Sequence, residues 1–414
     1  MDSFITESNF LQGNDPERIA KEYGTPLYLY NERIIREHMR SVRGLIRKYP
    51  FTANYSVKAN SNLSILKMAL EEGLSCDAMS EGEIRLLQKA GFPSDRIFFV
   101  PNNVSAEELK YAIDHQVITS LDSLDQLDLF GRIHPGGECA IRINPGVGAG
   151  HHEKVVTAGK NTKFAIEEHD IELAIQTAKK YDLKIVGINQ HVGSLFMDIT
   201  PYLKATENFL RIARKFEGLK FIDFGGGFGI PYHKLEDEAH FDMEAQTAAL
   251  EPILDDFVRD YGYAPLFKAE PGRYCVADGG ILLGRVHATK NNGSRKYAGT
   301  DIGMNVLARP TLYDSWHDVE VFRNSRPVLK KDGSEVVTVT GNICESGDIL
   351  ARERDLPVIC TGDLVCILDA GAYGYSMCSS YNTRPRPAEV LIAEDGSLRQ
   401  IRRRETYEDL FQLF

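Results

Sequence analysis

The sequence is short of several features, and each shortage removes a class of function. No stretch of it reaches the roughly 18 uninterrupted apolar residues that a membrane helix needs. The opening MDSFITESNF lacks the basic start and apolar run of a secretory signal, so a soluble protein without a membrane partner is expected. Basic charge is not in excess either: 48 Lys+Arg stand against 59 Asp+Glu, a formal net charge of −11, which argues against nucleic acid or an anionic membrane surface as the main partner. Cysteines number only 7, at 76, 139, 275, 344, 360, 366 and 378, and never fall as C-x-x-C. Neither a disulfide framework nor a zinc knuckle is expected, and a reducing cytoplasm is the expected compartment. Nucleotide fingerprints are missing as well. A G-x-G-x-x-G run opening at Gly225 would need glycine where Ile230 stands, and one opening at Gly146 would need it at His151. A P-loop fails because Gly159-Lys160 is followed by Asn161.

What is present is an ordinary globular composition, 43% apolar and 26% charged over 414 residues, long enough for about two domains. Short apolar runs alternate with helical patterns. FTANY (51–55) precedes a helix over 61–73, with Leu63, Leu66 and Leu70 on one stripe and Gly73 at its stop. LSCDA, RIFFV and VITSL follow at about 22-residue spacing, each before a helix, and CAIRI, IVGINQ, FIDF and LFKAE continue the series at longer intervals. Eight parallel strand candidates with helices predict a (β/α)8 TIM barrel, in the α/β class. Beyond residue 280 the texture becomes short β-rich runs, including a hairpin at Asp395-Gly396. The expected organisation is a barrel over 27–275 and a second, all-β domain of sandwich or barrel type built from 1–26 and 276–414.

In such a barrel, function sits on the loops after the C-terminal ends of the strands. After the first strand comes Ser56-Val57-Lys58-Ala59-Asn60. Most lysines are solvated, but one beside an apolar barrel core can have a depressed pKa and become nucleophilic. After the seventh strand comes Gly225-Gly226-Gly227-Phe228-Gly229, and after the eighth Glu270-Pro271-Gly272-Arg273. Successive glycine N–H groups can form an anion-binding concavity, and these two loops are the usual barrel phosphate site. Alone the glycine run reads equally well as a tight turn; Arg273 next door, as a forked donor, favours phosphate. Ser194 can add a hydroxyl. His191 is either a satisfied buried histidine or a ring that stacks on a flat ligand. His151-His152 suggests metal, but adjacent side chains diverge and no third ligand is suitably spaced, so no metal site is expected.

A lysine, a phosphate nest and a carboxylate facing them describe a pyridoxal phosphate site, and the chain resembles the barrel-type (alanine racemase-like) pyridoxal phosphate decarboxylases, within them the diaminopimelate decarboxylases. The resemblance spans nearly the whole chain. It rests on Tyr55–Asn60, Arg142–Gly146, His191–Ser194, Gly225–Gly229, Glu270–Arg273, Asp301–Asn305, Arg309–Tyr313, Cys344–Asp348, Gly371–Gly374 and Ser380–Arg384. It implies decarboxylation of meso-2,6-diaminopimelate to L-lysine and CO2, in lysine biosynthesis. Lys58 would carry the cofactor as a Schiff base, and Gly225, Gly226, Gly227, Ser194, Arg273 and Tyr373 would hold its phosphate. His191 would stack on the pyridine ring and Glu270 would meet its nitrogen, where racemases of this fold usually place an arginine. Cys344 would be the general acid, and Arg273, Arg309, Tyr313, Glu345 and Tyr373 would grip substrate. The family forms a homodimer whose Cys-Glu segment enters the neighbouring barrel. Ala158, Ala165, Asn189 and Val306 depart from the usual family residues. The alternatives are a same-fold decarboxylase of ornithine, lysine or another diamino acid, and a cofactor-binding protein without catalysis.

Overall fold

The computed structural model describes residues 9–146 and 162–414, together with the backbone of 149–150; His151, His152, Ala158, Gly159 and Lys160 lie outside the described residues. The chain divides into two compact units, one of Arg36–Ile230 and His240–Cys275, the other of Met1–Ile35, Pro231–Ala239 and Val276–Phe414.

In chain order the strands used below are β1 (Leu27–Asn31), β2 (Phe51–Ser56), β3 (Ser75–Ala78), β4 (Ile97–Phe99), β5 (Ile118–Leu121), β6 (Glu138–Arg142), β7 (Lys184–Asn189), β8 (Phe221–Asp223) and β9 (Leu266–Ala269). They continue with β10 (Gly280–Asn292), β11 (Arg295–Thr300), β12 (Val319–Arg323), β13 (Ser334–Thr340), β14 (Ile349–Pro357), β15 (Leu364–Ile367), β16 (Ala388–Ile392) and β17 (Leu398–Arg402).

The first unit is the barrel. Strands β2 to β9 pair in sequence order, and β9 returns to β2 to close the ring; the pairing is parallel throughout, with Phe267 opposite Phe51 at the closure. All eight strands expected from the sequence are present. Their helices start where serine can cap them: Ser80, Ser105 and Ser123 each accept from the N–H three residues on, satisfying one of the unpaired donors of the first turn. Gly91 ends one such helix at φ +101. On the helix Leu63–Glu71 the buried residues are Ile65, Leu66, Met68 and Ala69, a wider arc than the Leu63–Leu66–Leu70 stripe, because a barrel helix is covered by the sheet and by the next helix. Inside the barrel Phe98, Val100, Ala140, Val186 and Phe221 pack together, with the Lys268 ammonium 4.3 Å from the Phe221 ring centroid.

The second unit is built on a ten-stranded sheet in which β12, β15, β10, β1, β16 and β17 run as successive neighbours, and β11, β13 and β14 extend it. Here the structure corrects the expected boundary. β1, placed by the sequence at the start of the barrel, pairs antiparallel with β10 (Leu27 opposite Leu283) and parallel with β16 (Leu27 opposite Ala388). All five of its residues are buried, so it is a central strand of this sheet. Pro231–Ala239, expected in the barrel, also belongs to this unit. The core gathers Leu27, Leu29, Ile281, Leu283, Leu364, Val390 and Ile392. The hairpin expected at Asp395-Gly396 is the β16–β17 pair. Among the described residues no helix is long and apolar enough to cross a membrane.

Candidate active site

The strand ends of the barrel set out the first group of side chains. Lys58 lies in the single 3-10 turn Val57–Ala59 directly after β2. Ser56 fixes the turn: its N–H donates to the Pro271 carbonyl at 3.2 Å and its hydroxyl to Asp77 Oδ1 at 2.8 Å. Lys58 is half-buried, and its charge acts on Asp77, Glu83, His191 and Glu270.

The glycine run after β8 leaves no room for side chains. Gly225 takes φ +73 and Gly227 φ +113, the left-handed region that favours glycine. An added Cβ would run into the Gln190 carbonyl at Gly225, the Glu270 carbonyl at Gly226 and the Phe196 ring at Gly227. The run is pinned at both faces. Gly225 N–H donates to Asp223 Oδ1 at 2.9 Å, and the Gly225 carbonyl accepts from Glu270 N–H at 2.9 Å. Gly226 N–H donates to His191 Nδ1 at 3.3 Å, and Arg273 Nη2 donates to Ser194 Oγ at 3.0 Å. The barrel unit therefore brings together Lys58, His191, Ser194, Gly225, Gly226, Gly227, Glu270 and Arg273.

Burial sets the electrostatics of this group. Since His191 Nδ1 accepts a bond, the ring proton sits on Nε2. Burial, with the charges of Lys58 and Arg142, pushes its pKa well below the ordinary range, so the ring is neutral. Glu270, 3% exposed, has its pKa raised well above normal by burial and by Asp223 and Asp77, against the opposing pull of Lys58 and Arg142. Burial likewise raises Glu83 to about 7, although Met79 N–H donates to it at 2.6 Å.

Three buried polar atoms, Glu270 Oε1, Asp77 Oδ2 and Arg142 Nε, have no hydrogen-bond partner among the described residues. A carboxylate oxygen left over in so closed a place calls for a donor or a cation. A cradle of backbone closed to any Cβ, a hydroxyl and guanidinium beside it, a half-buried amine and a flat neutral ring complete the set. These groups suit pyridoxal phosphate: the glycine cradle, Ser194 and Arg273 suit an anion, the Lys58 amine an aldehyde, and the buried Glu270 carboxylate a cation. Among the described residues no group of three or more His, Cys, Asp or Glu could hold a metal.

The β-rich unit carries the remaining expected residues. Arg309 heads the short helix Arg309–Tyr313 and is almost wholly buried. Thr311 Oγ1 donates to the Gly347 carbonyl at 2.8 Å, which ties this helix to the Cys344–Asp348 loop. Cys344 and Glu345 are exposed. Cys344 N–H donates to Asn382 Oδ1 at 2.9 Å, and Tyr381 donates its hydroxyl to Glu345. The loop hangs on Asp348, whose carboxylate accepts from Met304 N–H at 2.6 Å and Ile343 N–H at 2.7 Å. Tyr373 sits half-buried at φ +55, between the buried turn residues Ala372 and Gly374.

Sequence reasoning gave no role to Asp77, Glu83, Asp223 or Asp348. The available signal was position: Asp77 and Asp223 stand at the C-terminal ends of barrel strands, where function concentrates. Two of the family departures have a definite local setting. Ala165 takes φ +74, a backbone conformation that favours glycine. Asn189 accepts from Ser120 Oγ at 2.6 Å, a contact inside the barrel. Val306 is buried, and its carbonyl accepts from Tyr28 at 2.6 Å; nothing in the structure explains its departure.

Comparison with known proteins agrees with this geometry. Residues 32–277 match the family described as pyridoxal-dependent decarboxylase, pyridoxal binding domain. The chain is 42% identical to the diaminopimelate decarboxylase of Methanothermobacter thermautotrophicus, covering 97% of this chain and 94% of that one. To the same-named protein of Aquifex aeolicus it is 35% identical, over 96% of this chain and 94% of the relative. Its structure is similar to that of diaminopimelate decarboxylase from Helicobacter pylori complexed with L-lysine, with a TM-score of 0.86, 31% identity, and coverage of 96% of this chain and 98% of that one.

Proposed function

The chain belongs to the diaminopimelate decarboxylases, within the pyridoxal-dependent decarboxylase family, and on that premise we propose that it converts meso-2,6-diaminopimelate to L-lysine and CO2. The observation that carries the reading is the barrel rim, where Lys58, the Gly225–Gly227 cradle and the buried Glu270 oxygen meet in one place.

Bound pyridoxal phosphate supplies a cationic ring that withdraws the electron pair left at Cα when CO2 departs. The chain's own residues prepare that chemistry. Lys58 supplies the amine that attaches the cofactor. Gly225, Gly226, Gly227, Ser194 and Arg273 would hold the phosphate, and the family resemblance gives the same role to Tyr373. His191, kept neutral by burial, offers its flat face to the ring without adding a competing positive charge. Glu270 would keep the ring nitrogen protonated: a carboxylate that burial makes reluctant to ionise alone is stabilised as an anion by an adjacent cation. An arginine at that place would leave the ring neutral, so Glu270 favours decarboxylation over racemisation.

Once CO2 has left, a proton must reach one face of Cα. The Cys344 thiol donates it and later recovers one from solvent, the role of a positioned general acid. Arg309 and Tyr313 take the distal carboxylate, Glu345 the distal amine, and Arg273 and Tyr373 border both cofactor and substrate. The exposure of Cys344 and Glu345 in the single chain supports a homodimer in which this loop enters the partner's barrel. Seven free cysteines suit a cytoplasmic enzyme.

The deciding experiment measures CO2 release by the holoenzyme from meso-diaminopimelate, L-lysine, L- and D-ornithine and arginine. Diaminopimelate should be preferred by orders of magnitude, and an equal or reversed preference sinks the substrate assignment. For the shared site, Lys58→Ala and Cys344→Ala proteins, each inactive, should regain activity when mixed. No recovery after subunit exchange would place each site within one chain.

A further inference from the structure

We propose that His317 is the positioning residue that presents Arg309 to the distal carboxylate of the substrate, and so contributes to substrate choice; the inference rests on the role given to Arg309 above. The Arg309 guanidinium lies 4.8 Å from the centroid of the Tyr232 ring, and its Nη1 is 2.9 Å from His317 Nε2. A guanidinium has donors only, so Nε2 is the acceptor in that contact. His317 Nδ1 is 2.7 Å from the Leu368 carbonyl oxygen, which can only accept, so Nδ1 carries the ring proton. Each partner fixes one nitrogen, and together they select a single neutral tautomer.

The imidazole is itself held. It is buried and packs edge-on to Tyr232, with centroids 5.3 Å apart at 82°. Its backbone is fixed as well: the His317 carbonyl accepts from Arg354 Nη1 at 3.3 Å, and Leu368 N–H donates to the Asp318 carbonyl at 3.0 Å. Arg309, His317 and Tyr232 therefore form one brace rooted in the backbone that follows β15.

The chemistry of the brace suits positioning better than neutralisation. A carboxylate in the place of His317 would cancel the charge of Arg309 and engage its fork. A neutral imidazole takes one N–H of five and leaves the charge intact, the property needed by a group that is to meet a second carboxylate. Diaminopimelate has that carboxylate, and the product L-lysine keeps it, because only the carboxylate at the reacting Cα leaves; a plain diamine such as 1,5-diaminopentane lacks it. The effect of His317 is therefore confined to ligands that carry one.

The test uses the holoenzyme. His317→Leu should lower kcat/KM for meso-diaminopimelate roughly 10- to 100-fold, mainly through KM, as expected for a displaced binding group. Inhibition by L-lysine, which keeps the distal carboxylate, should weaken in step, while inhibition by 1,5-diaminopentane and the cofactor absorbance should stay at wild-type values. His317→Gln, whose amide can accept from Arg309 and donate to Leu368, should recover most of the loss. Arg309→Ala should reproduce the KM defect, and His317→Leu should add nothing on that background. An equal loss of affinity for 1,5-diaminopentane, or failure of the glutamine to rescue, would make His317 merely structural and overturn the proposal. If Arg309→Ala leaves the diaminopimelate KM untouched, the role given to Arg309 falls instead, and the two failures are told apart.

Discussion

The mouth of the barrel and the Cys344–Asp348 loop both carry reactive groups, yet they are built on opposite plans. In the mouth the charges are buried and face one another: Glu270, Asp77, Asp223 and Arg142 are nearly inaccessible, and burial raises the pKa of every one of those acids. In the loop, Cys344 and Glu345 are open to solvent and only the anchor beneath them, Asp348, is buried. Tuning a charge requires taking it from water, which costs stability wherever compensation is incomplete. Delivering a proton to a substrate requires a group that can be brought to it. The mouth is preorganised within its own unit, whereas the loop is held at its base and offered at its tip.

Mutations should separate these plans, and the largest effects belong to the mouth. Lys58→Ala should abolish both the covalent cofactor absorbance and turnover; a retained band would remove this lysine from its role. Cys344→Ala should keep the band and lose about 10²- to 10⁴-fold in kcat, the usual worth of a positioned proton donor. Glu270→Gln keeps the shape of the side chain but removes the charge. It should cost roughly 10²- to 10³-fold in kcat, comparable to losing one preorganised electrostatic contact, with a shifted cofactor spectrum that Cys344→Ala does not show. Identical spectra for those two variants would erase the distinction between mouth and loop. Asp348→Ala leaves the Met304 and Ile343 N–H groups without their acceptor, at about 1–3 kcal/mol for each buried donor. It should loosen the loop, read as faster alkylation of Cys344 while the cofactor band is unchanged.

The mouth was also the more legible half in sequence. Each barrel strand is a short apolar run whose loop and following helix lie next to it in the chain, so Lys58, the glycines and Glu270 could be placed on strand ends by local reasoning. What local reasoning missed depends on pairing across long stretches. β1 is a strand of the second sheet only because residues near 283 and 388 flank it. β10 is apolar in its first half and mostly exposed through Ala288–Asn292, so its polar end carries no strand pattern of its own. Asp77 and Asp223 each read as ordinary acids until the closed barrel set them beside Glu270. Arg309 and Cys344 were found by resemblance, but that Arg309 is buried and braced by His317 could not be seen from a histidine eight residues on.

The smallest and most diagnostic contrast concerns stability. Glu83 borders the mouth with its pKa raised to about 7, burial being the main cause. In the unfolded chain a glutamate titrates near 4.3, so between about pH 4.3 and 7 the folded state binds more protons than the unfolded state. Stability contributed at this site is then present below the unfolded value and falls as pH rises through the folded one. Glu83→Gln keeps an oxygen for the Met79 N–H and removes the charge. It should raise the thermal midpoint at pH 7.5 by the equivalent of about 1 kcal/mol, a fraction of the full pKa linkage, and the gain should vanish near pH 4. Glu345→Gln, on the exposed loop, should leave the midpoint within about 0.5 kcal/mol at either pH, as surface substitutions do. A pH-independent gain for Glu83→Gln would mean that packing, and not a buried charge, limits stability at the mouth; an equal gain for Glu345→Gln would dissolve the difference between the two regions.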